Sequence, residues 1–229
     1  MKVCARSLNV PAATPSATTV TAALLVALPV FIQAPWVRQS PFSAALFTVV
    51  LLSAGLFLGQ RGEGKFRHSG QLLVGFSGSW LAGALFWGWA RQHPLIHLPV
   101  EALALPLALG GLRGPWRLAC GFYLGSLLGT AATDVAIAAC GLMPLWPQVL
   151  LLDPPQAAVQ LHQAAATVLQ PGSLILVTGF AAVLTRLSQW LWQLGPVARV
   201  AGTALATTLV VDGFFLAAAL AAPRLSGLI

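Results

Sequence analysis

Apolar residues run through this chain in long stretches, separated by short breaks rich in proline, glycine or charge. Residues 19–36, 42–59 and 70–90 form three such stretches without a single charged side chain. Four more follow at residues 94–112, 116–142, 173–192 and 200–222, and these carry Glu101, Asp134, Arg186 and Asp212 within them. A helix crosses a bilayer with about 20 mostly apolar residues. The pattern therefore predicts an all-α, polytopic transmembrane helix bundle of about seven spans. Residues 18–225 then form a single transmembrane domain behind a mobile tail at residues 1–17. Pro99 and Pro106 interrupt the fourth stretch, which leaves a second arrangement open: six spans plus a re-entrant segment at residues 94–112.

The stretch at residues 143–172 is different. It is rich in Pro and Gln, with Pro144, Pro147, Pro154, Pro155 and Pro171 beside Gln148, Gln156, Gln160, Gln163 and Gln170. Residues 156–170 have helical composition but are too polar to span. They are expected to lie on the membrane surface as part of an external linker.

Composition sharpens the picture. Only 17 of 229 residues are charged, against about 57 for a soluble domain with roughly 25% charged residues. Hydrophobic residues make up 58% of the chain, and the mean hydropathy is +0.84. Such a chain cannot coat itself with polar side chains. This excludes a cytosolic enzyme, an extended nucleic-acid-binding surface and a coiled coil, and makes membrane lipid the first partner.

The formal net charge of +7 reads as topology. With the N-terminus inside, Lys2, Arg6, Arg61, Lys65, Arg67, Arg113, Arg117 and Arg199 fall on the inner side, and Arg186 can snorkel there. Only Arg38, Arg91 and Arg224 fall outside, a nine-to-three split of the 12 basic residues that fits seven spans. Trp36, Trp87, Trp89 and Trp146 mark outer ends, while Trp116, Trp190 and Trp192 mark inner ends. Trp80 falls near mid-membrane, as a packing residue. Cys4, Cys120 and Cys140 have no metal-ligand spacing, and Cys120 and Cys140 read as small apolar residues.

Ionisable groups are costly in lipid, at least ~2.5–3.5 kcal/mol each at the bilayer centre. Of the five acids, Glu63, Glu101, Asp134, Asp153 and Asp212, three lie inside spans. Helix rise and span direction put Glu101 and Asp134 in the outer half and Asp212 near the middle. Glu101 and Asp134 are expected to line one aqueous cavity open to the outer face, with His97 at its rim. His93, His97 and Glu101 follow i, i+4, i+8 spacing, one face of a continuous helix, and could bind a divalent cation or pass protons. Structural readings stand beside these. His93 and His97 could be interfacial, Asp134 could bond Thr130 or reach Arg117 through water, and Asp212 could pair with Arg186. His162, on the polar linker, reads as solvated. Gly121, Gly125 and Gly129 recur every four residues and predict a close helix–helix seam.

No HExxH, CxxC or GxSxG motif occurs, nor a nucleotide-binding glycine loop. Residues 30–38 (VFIQAPWVR), 80–102 (WLAGALFWGWARQHPLIHLPVEA) and 123–134 (YLGSLLGTAATD) resemble an uncharacterised family of multi-spanning cyanobacterial integral membrane proteins. The resemblance implies a photosynthetic host and a thylakoid or plasma membrane address. It carries no catalytic residues over.

Two functions follow as leading expectations, with a third behind them. One is a small transporter or permease for a cation or small solute, proton-coupled through an outer-side acidic and His site. The other is a non-catalytic assembly or stabilising factor of photosynthetic complexes, in which His97 or His93 could ligate a chlorophyll magnesium. A membrane enzyme using Glu101, His97 and Asp134 as acid and base is a third, without a motif behind it.

Overall fold

The computed structural model describes residues 16–223. The expected tail at residues 1–17 lies outside that range but for its last two residues, as do Lys2, Cys4, Arg6 and Arg224.

Helix starts follow local rules. Ser16 caps α1 (Ala17–Gln39) by accepting the Thr19 N–H, and Asp153 caps α8 (Pro154–Val168) by accepting the Gln156 N–H. Both side chains satisfy N–H groups that the first turn leaves without helical partners. Proline opens α2 (Pro41–Arg61), α8, α9 (Pro171–Gln193) and α10 (Pro196–Ala221), where its missing N–H is no loss. Gly195 makes the turn from α9 to α10 at φ 123°, a conformation open to glycine alone.

Between these lie α3 (Gly64–Leu85), α4 (His97–Glu101), α5 (Leu105–Gly111), α6 (Arg117–Ala139) and α7 (Leu145–Leu151). A π-helical turn, Phe86–Ala90, extends α3, and a 3-10 turn, Pro94–Ile96, leads into α4. Among the described residues there is no strand. Seven segments among the described residues are long and apolar enough to cross a membrane, and the chain is a multi-pass integral membrane protein.

The fourth of these, Pro94–Gly111, is discontinuous. Each of its interior prolines falls in the first turn of a new short helix: Pro99 in α4 and Pro106 in α5. The break between them is closed from outside. The Tyr123 hydroxyl, on α6, donates to the Glu101 carbonyl and accepts the Ala104 N–H. Backbone polar groups freed inside a membrane need such partners.

α3 is the most enclosed span. It packs on α1, α2 and α6 around a core that includes Leu72, Phe76, Trp80, Phe122 and Val200. Trp80 is 3% exposed; its indole N–H donates to the Ala44 carbonyl at 2.8 Å, and its ring meets those of Trp36, Phe47 and Phe76 edge-on. Helices also meet at backbone distance. Gly121, Gly125 and Gly129 on α6 face Val197, Ala201 and Thr208 on α10. A Cβ on Gly121 or Gly129 would lie 2.6 Å from the Val197 or Thr208 side chain, and one on Gly125 would press into the Ala201 carbonyl. Gly55, Gly59 and Gly70 make a second seam between α2 and α3.

Candidate functional site

A cavity of about 710 Å³ opens among α1, α3, α4, α6, α9 and α10, with α7 and α8 at one end. His97, Glu101, Asp134 and Asp212 all line it. Three come together directly. His97 Nδ1 lies 3.0 Å from both Asp134 oxygens, and its Nε2 is 3.8 Å from Glu101 Oε1. The His97 side chain is 19% exposed and both carboxylates 13%. One imidazole therefore stands between two carboxylates taken from different helices.

Local structure explains the grouping. His97 and Glu101 are the first and last residues of α4, one turn apart on one face. α4 packs on α6, which presents Asp134. Tyr123 pins the far end of α4 at the Glu101 carbonyl. On its other side the imidazole stacks on Phe86, centroids 4.2 Å apart at 39°, with Trp87 next to it at 6.5 Å. Both rings come from the π-helical turn. Such turns shift the helical face by about one residue and recur at functional sites.

Asp212 occupies a second polar position. The Thr133 hydroxyl, on α6, donates to its Oδ2 at 2.6 Å and bonds the Gly129 carbonyl at 3.1 Å. Thr133 precedes Asp134, so adjacent residues of α6 serve the two acidic positions.

Several sequence expectations change. Asp134 bonds His97 rather than Thr130 or Arg117. Asp212 bonds Thr133 rather than Arg186, and no Arg186–Asp212 ion pair occurs among the described residues. The His93, His97, Glu101 metal set is not assembled. His93 sits before the 3-10 turn at φ −119°, ψ 74°, outside the helix, so the i, i+4, i+8 face stops at His97. Among the described residues no group of three His, Cys, Asp or Glu side chains is placed to hold a metal ion. His162 is exposed on α8.

Sequence reasoning also missed residues. Gln33, 4% exposed in mid-α1, lines the cavity and donates to the Trp80 carbonyl. A buried amide on an otherwise apolar helix was a readable signal. Arg38 and Arg91 line the cavity too, although as basic residues near span ends they read as topology markers. Trp87 and Trp146 stack at 5.2 Å and form part of the wall.

The chain belongs to the family described as "Protein of unknown function (DUF3120)", which matches residues 22–220. No curated protein matches, and no solved structure matches.

Proposed function

We propose that this protein is a small proton-coupled transporter, with His97, Asp134 and Glu101 as its proton-handling centre. The observation that carries the reading is the imidazole held between two carboxylates inside a cavity reached by five spans and the discontinuous fourth. A proton lies on the line between His97 Nδ1 and Asp134, whichever group holds it. A second proton taken at Nε2 makes an imidazolium facing Glu101, and two carboxylates offset its charge. Uptake and release at Nε2 then need little rearrangement of the ring. Asp212, one helix away and bonded to Thr133, offers a deeper station for the proton. Broken spans beside an ionisable cluster are a recurrent way to build such sites in membranes.

The arrangement favours proton handling over pigment binding at His97, because both of its ring nitrogens face carboxylates. The charge split further supports an outward-facing mouth, on the side of residues 143–172. Cysteines introduced at Gly64 and Gln160 should then react with an impermeant reagent from opposite faces of sealed vesicles.

The function is tested in liposomes with an entrapped pH dye and a panel of organic acids, amines, zwitterions and inorganic cations. One class should drive proton entry in the native protein. Asp134→Asn should fold, as judged by a monodisperse elution profile, and lower that rate about a hundredfold or more, the low end of what a positioned proton-transfer group contributes. Unchanged coupling in the variant, or no solute-driven proton movement from any class, counts against the proposal.

A further inference from the structure

We propose that the cavity takes an amphiphilic organic anion, its head held by Arg38 and Arg91 at the mouth and its apolar body in the chamber below. The proposal names the substrate class for the transport reading above and rests on it.

Arg38 is the penultimate residue of α1, and Arg91 directly follows the π-helical turn that extends α3. The fold brings these two ends to one rim, where both residues line the cavity. α1 packs on the π-helical turn that Arg91 follows. The rim is built rather than loose: Trp146 on α7 donates its indole N–H to the Arg91 carbonyl at 2.9 Å and stacks on Trp87. A guanidinium offers a planar fork of N–H donors that matches a carboxylate or phosphate. Two such forks at the entrance attract anions and repel cations before either reaches the interior.

Below the rim the lining is mainly apolar, with Val30, Phe76, Phe122, Ile137, Phe180 and Leu209 coming from five helices. A volume of about 710 Å³ suits a small organic molecule. A bare inorganic anion would leave that apolar chamber without a partner, and an organic cation would meet the arginines first. Asp134 stands five residues before the end of α6, about 8 Å below it at 1.5 Å per residue. A head at the rim therefore stays clear of the carboxylates, which are engaged with His97.

The same head chemistry belongs to a soluble alkyl carboxylate and to an anionic phospholipid, so the experiment separates them. The full chain, in nanodiscs of zwitterionic phospholipid, is titrated calorimetrically with octanoate, acetate and octyltrimethylammonium, with empty nanodiscs as control. Octanoate should bind saturably and perturb tryptophan fluorescence, while the other two should not. Arg38→Gln and Arg91→Gln should each weaken octanoate at least tenfold. Arg38→Lys and Arg91→Lys, which keep the charge without the fork, should fall between and show that the fold is intact. If nanodiscs containing phosphatidylglycerol abolish octanoate binding, the anion is a lipid headgroup; if they leave it unchanged, the anion is soluble. Equal binding of octyltrimethylammonium or acetate, or unchanged affinity in the folded Arg variants, overturns the proposal. Octanoate binding without proton movement removes the transport reading and leaves the anion site standing. Proton movement driven only by amines or cations removes the anion site and leaves transport standing.

Discussion

The α6–α10 seam and the cavity beside it are built from the same two helices in opposite ways. At the seam, Gly121, Gly125 and Gly129 put no side chain of their own between the helices, so α6 packs directly on Val197, Ala201 and Thr208 of α10. Along the cavity wall, α6 presents Thr133 and Asp134, and α10 presents Asp212, to open space or to polar partners. In lipid, helices are not driven together by exclusion of water. Close packing has to supply the association, and it does so where the residues are smallest. Polar groups then collect where packing is incomplete, because only there can they meet water, a solute or one another. A rigid seam next to an open wall holds Asp134 at a defined depth and rotation, so that it meets His97.

The contrast can be broken most forcefully at the seam. Gly125→Leu should destabilise the bundle by about 3 kcal/mol or more, the upper end of overpacking costs, because its side chain would press on the Ala201 backbone. Leu124→Ala, one residue away and half-buried, should cost clearly less. Thermal unfolding in detergent compares the two; equal midpoints would mean that the seam yields and is not the rigid element.

Tyr123→Phe tests the joint between seam helix and cavity. It keeps the ring but leaves the Ala104 N–H and Glu101 carbonyl without their hydroxyl partner, a loss of about 1–3 kcal/mol for buried polar groups. Hydrogen exchange should rise at residues 101–105 and stay unchanged on α2. Unchanged exchange at the break would show that the hydroxyl does not hold α4.

The smallest effect sharpens the comparison from the opposite side. Gly179 on α9 is exposed, and a Cβ there meets nothing within 4 Å. Gly179→Ala should be neutral or stabilise by about 0.5–1 kcal/mol through helix propensity alone. A large loss at this position would reveal a contact on α9 that the monomer does not contain.

Much of this was legible along the chain. Hydropathy is additive over neighbouring residues, so seven spans and a polar segment at residues 143–172 follow from counting. The glycine spacing on α6 is periodic and marks a seam without naming its partner. Glu101, Asp134 and Asp212 stand out because ionisable groups are rare in lipid-spanning segments, and depth along each helix pointed to the proximity of the first two.

What the linear pattern left open is rotation and continuity. Grouping His93 with His97 assumed one helix through residues 93–101, but the chain turns before Pro94. Arg38 and Arg91 looked alike as charges at span ends, and nothing local shows that two such ends meet over one cavity. Asp212 could have chosen Arg186, Thr133 or another neighbour. The identity of the spans and the cost of each buried charge were thus determined by the sequence itself, because transfer into lipid depends on each side chain and its immediate neighbours. Which charges face one another was decided by the tertiary structure, because the glycine seams set how far each helix turns about its axis, and a turn of one residue, about 100°, exchanges a cavity wall for lipid.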